Sequence, residues 1–330
     1  KIWKEVQLEK ARKESEAAFE IEDKQAREER LLEINEAFDQ SINDPDYARK
    51  LFLIENCIYG VDIQPIATQI SKLRFFISLV VEQKVNAEKD NFGILPLPNL
   101  ETKFVAANTL IGIEKPKAQL SLYDTKEVKV LETKLKKVRS KLFSAKSKET
   151  KLKYREEDKV LRNQIAEELE KSGWKSDTAQ KLAGWDPYDQ NASSSFFDPE
   201  WMFDIKDGFD VVIGNPPYVS TRTKDFNREL LPYYKLNYRT ATGQFDLYNL
   251  FIEKSETILN RLGTLCFIVP KRLLSNENFE PIRNLLLTKL KISKYLDAEM
   301  PFEAAVVEAN VVLCTRENHK LVKIYSFQDN

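Results

Sequence analysis

The stretch Phe209-Asp210-Val211-Val212-Ile213-Gly214-Asn215-Pro216-Pro217-Tyr218 sets the fold of this chain. Its first half is an almost wholly apolar run, which predicts a strand with both faces buried in a parallel sheet. Ligands in such sheets sit at the carboxyl ends of the strands, so Asn215-Pro216-Pro217-Tyr218 falls where an active site belongs. The two prolines have no N–H and fix φ at about −65°, and Pro216 pushes Asn215 toward an extended conformation. The result is a stiff turn that presents two acceptors, the Asn215 side-chain oxygen and the Pro216 carbonyl. Such a pair suits a planar NH2 group whose lone pair is delocalised into an aromatic ring. Accepting both protons favours charge build-up on that nitrogen as it attacks an electrophile. Tyr218 adds a flat face on which a base can stack. The alternative is a turn that merely ends a strand, and the ordered strand, glycine and aromatic speak against it.

Strand and helix signals alternate on both sides of this turn. Upstream lie a charged helix over 1–40, a turn at 43–46, a strand over 56–63, a helix over 66–81 and a second strand over 104–108. Downstream, a loop rich in Tyr, Thr and Arg (218–243) leads to a helix over 246–259 and a strand over 264–269. A helix over 279–289 and strands at 292–297 and 306–314 follow. This alternation predicts a doubly wound α/β sheet. Between about 115 and 184 the texture changes to Lys, Glu and Arg, with no glycine before Gly173. Two apolar stripes there, Leu131, Leu135, Val138, Leu142 and Val160, Leu161, Ile165, Leu169, predict an inserted antiparallel helical pair. Its charge reads as a solvated face, with the lysine excess in 126–153 leaving a nucleic-acid backbone contact as the alternative. The expected division is therefore an N-terminal helical segment (1–45), a first part of the core (46–114), the insertion (115–184) and a second part of the core (185–330).

Composition narrows the class. At 330 residues, 42% hydrophobic and 11% aromatic, the chain can build a sizeable core and is neither fibrous nor disordered. No apolar run approaches the ~20 residues a bilayer span needs. Cys57, Cys266 and Cys314 are widely spaced in apolar stretches, and His319 has no companion, so neither a disulfide framework nor a metal is expected. The expected compartment is reducing and cytoplasmic. The balance of 51 basic and 52 acidic groups does not by itself favour a polyanion partner. The chain opens on Lys rather than Met, so it is expected to be a piece of a longer polypeptide. A nuclease pattern forced from Pro45-Asp46 and Glu82-Gln83-Lys84 is rejected, because Glu82 falls at a helix end and such triplets arise by chance in a highly charged chain.

A second acidic signal is Tyr59-Gly60-Val61-Asp62-Ile63. A carboxylate at a strand tip in a nucleotide-binding sheet accepts hydrogen bonds from ribose hydroxyls, or else serves as a helix N-cap. Together with Asn108-Thr109-Leu110, Trp185-Asp186-Pro187-Tyr188, Phe197-Asp198-Pro199-Glu200-Trp201, Asp246-Leu247-Tyr248 and Phe267-Ile268-Val269-Pro270, the Asn-Pro-Pro-Tyr turn resembles the gamma-class N6-adenine DNA methyltransferases. The closest likeness is to type II restriction-modification enzymes that carry cleavage and modification in one polypeptide. The resemblance covers roughly residues 45–315 and implies a Rossmann-like core using S-adenosylmethionine to methylate a flipped adenine in double-stranded DNA.

By that resemblance Asp62 holds the cofactor ribose, Ile63 packs on its adenine and Asn108 bonds the adenine edge, while Asp246 and Tyr248 line the same pocket. An N-cap role for Asp246 competes. Asn215 and Pro216 hold the target amine, and Tyr218 and Phe302 stack on the base. The family also has an acidic-Pro-x-Cys-Gly-x-Gly cofactor loop upstream of the ribose-binding acid, and nothing in 1–61 resembles it. The expectation is thus a core incomplete at its N-terminal edge, lacking the target-recognition domain, weak or inactive alone and dependent on the rest of its polypeptide. Methylation of a protein glutamine amide and a non-catalytic DNA-binding scaffold are the competing functions.

Overall fold

The computed structural model describes residues 2–19, 27, 31, 45–88, 90–95, 98–116, 125–145, 147–298, 308–317 and 322–326. They form two compact units, Lys1–Ala107 with Tyr123–Ser194, and Asn108–Leu122 with Ser195–Asn330. In the first unit, helix α1 (Ile2–Phe19) is followed by α2 (Pro45–Asn56), strand β1 (Gly60–Asp62), α3 (Pro65–Val80) and β2 (Phe104–Ala106). Pro45 and Pro65 occupy first helical positions, where a missing N–H costs nothing. Pro45 therefore opens a helix instead of the expected turn, whose Asn43 and Asp44 lie outside the described residues. The expected strand over 56–63 shrinks to three residues, because Asn56 still belongs to α2.

Strands β1 and β2 pair in parallel with Gly60 opposite Phe104. A Cβ on Gly60 would come within 2.5 Å of the Phe104 ring, so glycine is required there. Tyr47, Ile54, Leu79, Leu100, Phe104 and Phe143 form the core of this part. The outer side of α3 leaves Ile66, Ile70, Leu73 and Ile77 exposed. The same unit holds the inserted helices α4 (Lys126–Ser144) and α5 (Lys148–Lys171), as expected, plus an unanticipated α6 (Ser176–Gly184). Thr125 and Ser147 cap α4 and α5 by accepting from Val128 N and Thr150 N. Leu135, Val138 and Leu142 meet Leu161, Ile165 and Leu169 in the buried seam, whereas Val160 falls on the exposed side.

The second unit contains α7 (Pro199–Phe203), β3 (Phe209–Gly214), α8 (Leu231–Asn237), α9 (Leu247–Ile258), β4 (Leu259–Pro270), α10 (Arg272–Ser275), α11 (Glu280–Thr288), β5 (Ile292–Asp297), β6 (Ala309–Thr315) and β7 (Lys323–Ser326). Its five strands are ordered β3-β4-β6-β5-β7. The pairs β3–β4 and β5–β7 are parallel, while β6 runs antiparallel to both of its neighbours. The core packs Leu265, Phe267 and Val269 of β4 against Ile252, Ile282, Leu286 and Val312. Helix α8 and strand β7 were not expected, and β4 starts earlier than its apolar run. One expectation is overturned. Strand β3 is not buried on both faces, because Val211 and Ile213 are 60% and 78% exposed. It lies at an edge of its sheet among the described residues, and its side chains alternate, so only the Val212 face packs on the core.

The insertion is more than a solvated face. Asp158 is fully buried and accepts from Arg139 Nε at 2.9 Å and Arg162 Nε at 2.7 Å. Arg162 also donates to the carbonyls of Ala183, at 2.7 Å, and Trp185. Burial by itself would push the Asp158 carboxyl up, but the two guanidinium charges overcome it and hold the carboxyl below the ordinary carboxylate range. Asn99 closes the far end of α4 by donating to Leu142 O at 2.6 Å and Ala145 O at 3.0 Å.

Asp158→Asn strands both guanidiniums without their anion and is expected to cost about 3–5 kcal/mol at pH 7 in urea denaturation. With the folded value depressed, the stability Asp158 supplies is present above a carboxylate pKa of ~4 and lost as pH falls through the folded value. The variant should lack that acid-sensitive component, and equal acid sensitivity in both proteins would refute the assignment.

Candidate active site

The turn after β3 is fixed from below. Gly214 pairs with Phe267 of β4, and a Cβ on it would crowd the Phe267 ring at 3.2 Å, so glycine lets that ring pack close against the strand end. Pro216 is buried and Asn215 is exposed. Neither the Asn215 side chain nor the Pro216 carbonyl has a hydrogen-bond partner among the described residues. Tyr218 is half-buried, donates its hydroxyl to Ile268 O at 3.1 Å, and stands edge-on to Tyr248 with ring centroids 6.1 Å apart. Tyr248 is in turn edge-on to Phe279 at 5.9 Å. Burial pushes the Tyr218 hydroxyl above its ordinary value, which keeps it a neutral donor.

The strand-like segment after the turn locks the start of α9. Ser220 bridges Asp246, Leu247 N donates to Val219 O at 2.8 Å, and Thr221 N donates to Phe245 O at 3.0 Å. Asp246 holds the N-cap position with extended backbone, yet its side chain caps nothing. It is 1% exposed and meets Arg272 Nη2 at 2.6 Å. Burial raises the Asp246 carboxyl, and the Arg272 charge opposes that rise. Of the two readings offered by the sequence, helix capping is therefore excluded. Arg272 itself was not anticipated. The available signal was a basic pair, Lys271-Arg272, directly beyond the carboxyl end of β4, where α/β sheets place their ligands.

The second unit thus brings Asn215, Pro216, Tyr218, Asp246 and Tyr248 into one buttressed cluster. Asn108 belongs to the same unit, and its Oδ1 accepts from Leu110 N at 3.2 Å. Asp62 and Ile63 belong to the first unit. Asp62 is exposed at the tip of β1, and its Oδ1 accepts from Gln64 N at 2.8 Å. Gln64, not Asp62, is the N-cap of α3, so the capping role is again excluded. The Asp62 Oδ2 atom has no partner among the described residues, and the neighbouring Ile63 is 58% exposed. Phe302 lies outside the described residues.

A family model described as Eco57I restriction-modification methylase matches residues 56–302. RM.MjaORFECS2P of Methanocaldococcus jannaschii, to which type II restriction enzyme and methyltransferase activities are ascribed, is 28% identical over 341 residues. That alignment covers 85% of this chain and 28% of that protein. The type II restriction enzyme and methyltransferase RM.Eco57I of Escherichia coli is 32% identical over 124 residues, 37% of this chain and 12% of that protein. The type II methyltransferase M.TthHB8I of Thermus thermophilus is 36% identical over 124 residues, 36% of this chain and 28% of that protein. The chain thus spans less than a third of the length of each of these relatives.

Arg272→Gln leaves the buried Asp246 carboxylate without its cation, which raises its pKa further. A raised folded value means stability that is whole below a pKa of ~4 and lost as pH rises through the folded value. The variant should lose about 1–3 kcal/mol at pH 8 and less at pH 5, read from urea midpoints. A deficit of equal size at both pH values would show that the ion pair is not its source.

Proposed function

This chain belongs to the Eco57I restriction-modification methylase family, and on that premise we propose that the protein carrying it transfers a methyl group from S-adenosylmethionine to N6 of an adenine flipped out of double-stranded DNA. The observation that carries the reading is the exposed, unpartnered Asn215 side chain beside the free Pro216 carbonyl. Two acceptors on a proline-stiffened turn suit an aromatic amine. They stabilise the positive charge that grows on nitrogen as its lone pair leaves the ring, and a preset turn needs no reorganisation at that moment. The half-buried Tyr218 ring, anchored through its hydroxyl, offers its remaining surface to the extruded base. Flipping is required because the amine is unreachable within the stack. Relatives whose names specify type II methyltransferases favour DNA over a protein glutamine amide.

Bound S-adenosylmethionine supplies an electrophilic methyl group. The residues present fit it. Asp62 Oδ2 is free to accept from vicinal ribose hydroxyls, and the exposed Ile63 offers apolar surface to a purine ring. With Oδ1 of Asn108 engaged by Leu110 N, its amide hydrogens remain as donors for a ring nitrogen. Tyr248 stands edge-on to Tyr218, and Asp246 bridges Ser220 just after the turn, so both hold the turn in place. Pairing to the rest of the polypeptide and a cytoplasmic location complete the proposal; no helix among the described residues is long and apolar enough to cross a membrane.

Asn215→Ala should lower kcat for methyl incorporation into duplex DNA by ~10²–10³-fold with the urea midpoint unchanged. Mass spectrometry of digested DNA should find the label on adenine N6. Label on protein glutamine with none on DNA would overturn the substrate, and an unaltered rate in the variant would overturn the acceptor role. Asp62→Ala should weaken cofactor binding by calorimetry about tenfold or more, since it removes charge-assisted hydrogen bonds. Unchanged affinity would remove Asp62 from the site.

A further inference from the structure

The outer face of α4 is a run of lysines with almost no opposing charge. Residues 126–153 contain eleven Lys and Arg against three Glu, in a chain whose net charge is −1. Lys126, Lys129, Lys134, Lys136, Lys137 and Lys141 are all exposed. Of the two acids on α4, Glu132 is buried and paired with Lys136 at 3.2 Å, leaving Glu127 as the exposed one. Lys126, Lys129, Lys134, Lys137 and Lys141 have no ion-pair partner among the described residues. The opposite side of the helix, Val128, Leu135, Val138 and Leu142, is buried, so packing fixes which way the lysines point. Like charges at i,i+3 and i,i+4, such as Lys134 with Lys137 and Lys137 with Lys141, repel each other and weaken a helix that remains solvated. In the first turns of α5, Lys148 and Lys153 are exposed beside Glu149, and further along the helix Glu156, Glu157, Glu167 and Glu170 face outward. The basic character is therefore confined to one stretch of surface and is not a general property of the insertion.

We propose that this lysine face of α4 binds the phosphate backbone of double-stranded DNA, supplying sequence-independent affinity to a protein whose base chemistry lies elsewhere. The inference rests on the reading of DNA as substrate and adds the surface that holds it. A 19-residue helix is ~28 Å long, and a duplex presents one negative charge per ~1.7 Å of axis, so phosphates can satisfy several lysines along its length. Ammonium groups on flexible stems suit this use, since they read charge without demanding a fixed geometry. Each phosphate contact releases counterions, which makes salt dependence the direct signature.

The test is duplex binding by the intact protein, measured by fluorescence anisotropy with a labelled duplex from 50 to 300 mM salt (about the range over which such slopes are read). The variant Lys129→Gln, Lys134→Gln, Lys137→Gln, Lys141→Gln keeps good helix formers at exposed positions, and circular dichroism verifies folding. The expected result is binding weakened at least ~10-fold at low salt and a log–log salt slope shallower by about 3, uniformly across duplex sequences. The control Lys159→Gln, Lys181→Gln removes exposed lysines outside this face and should cost clearly less per charge. Equal loss per charge in both variants, or an unchanged slope in the first, overturns the inference while the DNA reading stands. Absence of duplex binding by the unaltered protein overturns both.

Discussion

The second unit depends on the parallel pairing of β3 with β4. Strand β3 has one partner strand among the described residues, and its last residue, Gly214, is seated against the Phe267 ring. A Cβ there would crowd that ring at 3.2 Å, so the glycine lets the strand end close against it. The two prolines then make the exit stiff. Strand β4 also positions the residue beyond them, since the Tyr218 hydroxyl bonds the carbonyl of Ile268, next in the chain after Phe267. The short antiparallel contact between Ser220 and Asp246 passes this order on to the start of α9. The site is thus built by a strand end and supported by aromatic edges, with Tyr248 between Tyr218 and Phe279.

The same unit shows why Asp246 is more than the start of a helix. Its backbone occupies the N-cap position, but its carboxylate is turned inward to Arg272 and leaves the helix uncapped. A buried carboxylate is tolerated only when a cation or several donors face it. The Arg272 guanidinium, partly open to solvent, meets that demand and joins the end of β4 to the beginning of α9.

Charge serves two opposite purposes in the inserted helices. Inside, Asp158 sits between Arg139 and Arg162, and Arg162 also closes on the carbonyls of Ala183 and Trp185, which fixes how α5 meets the C-terminal end of α6. Outside, Lys126, Lys129, Lys134, Lys137 and Lys141 lack ion-pair partners among the described residues. They leave a field that falls off within about a Debye length, ~8–10 Å at moderate salt. The interior triad defines one packing arrangement; the exterior face is available to a polyanion.

Much of this was legible in the sequence. Period and length located β3, α3, α4, α5, α9, α11 and β5, because an element whose face is buried must repeat its apolar residues with the backbone period. The Asn-Pro-Pro-Tyr turn was legible for a local reason: prolines determine backbone geometry without help from distant residues. Other features were not local. The exposure of Val211 and Ile213 depends on whether another element packs on that face of the sheet, which an apolar run cannot report. Helix α8 was hidden in a loop rich in Tyr, Thr and Arg, since its Tyr234 packs on Phe226 and Tyr238 through ring edges and not through an aliphatic stripe. The partners of Asp158 and Asp246 were likewise invisible, because the sequence shows only that a carboxylate is present, and which cation it meets is decided by packing between residues as much as 26 positions apart, as with Asp246 and Arg272. Sequence alone therefore determined the strongly periodic elements and the stiffness of the Asn-Pro-Pro-Tyr turn, whose causes are covalent and short-range. The tertiary structure alone decided which faces are covered and which charges are paired, because burial and Coulomb energy depend on distances in space.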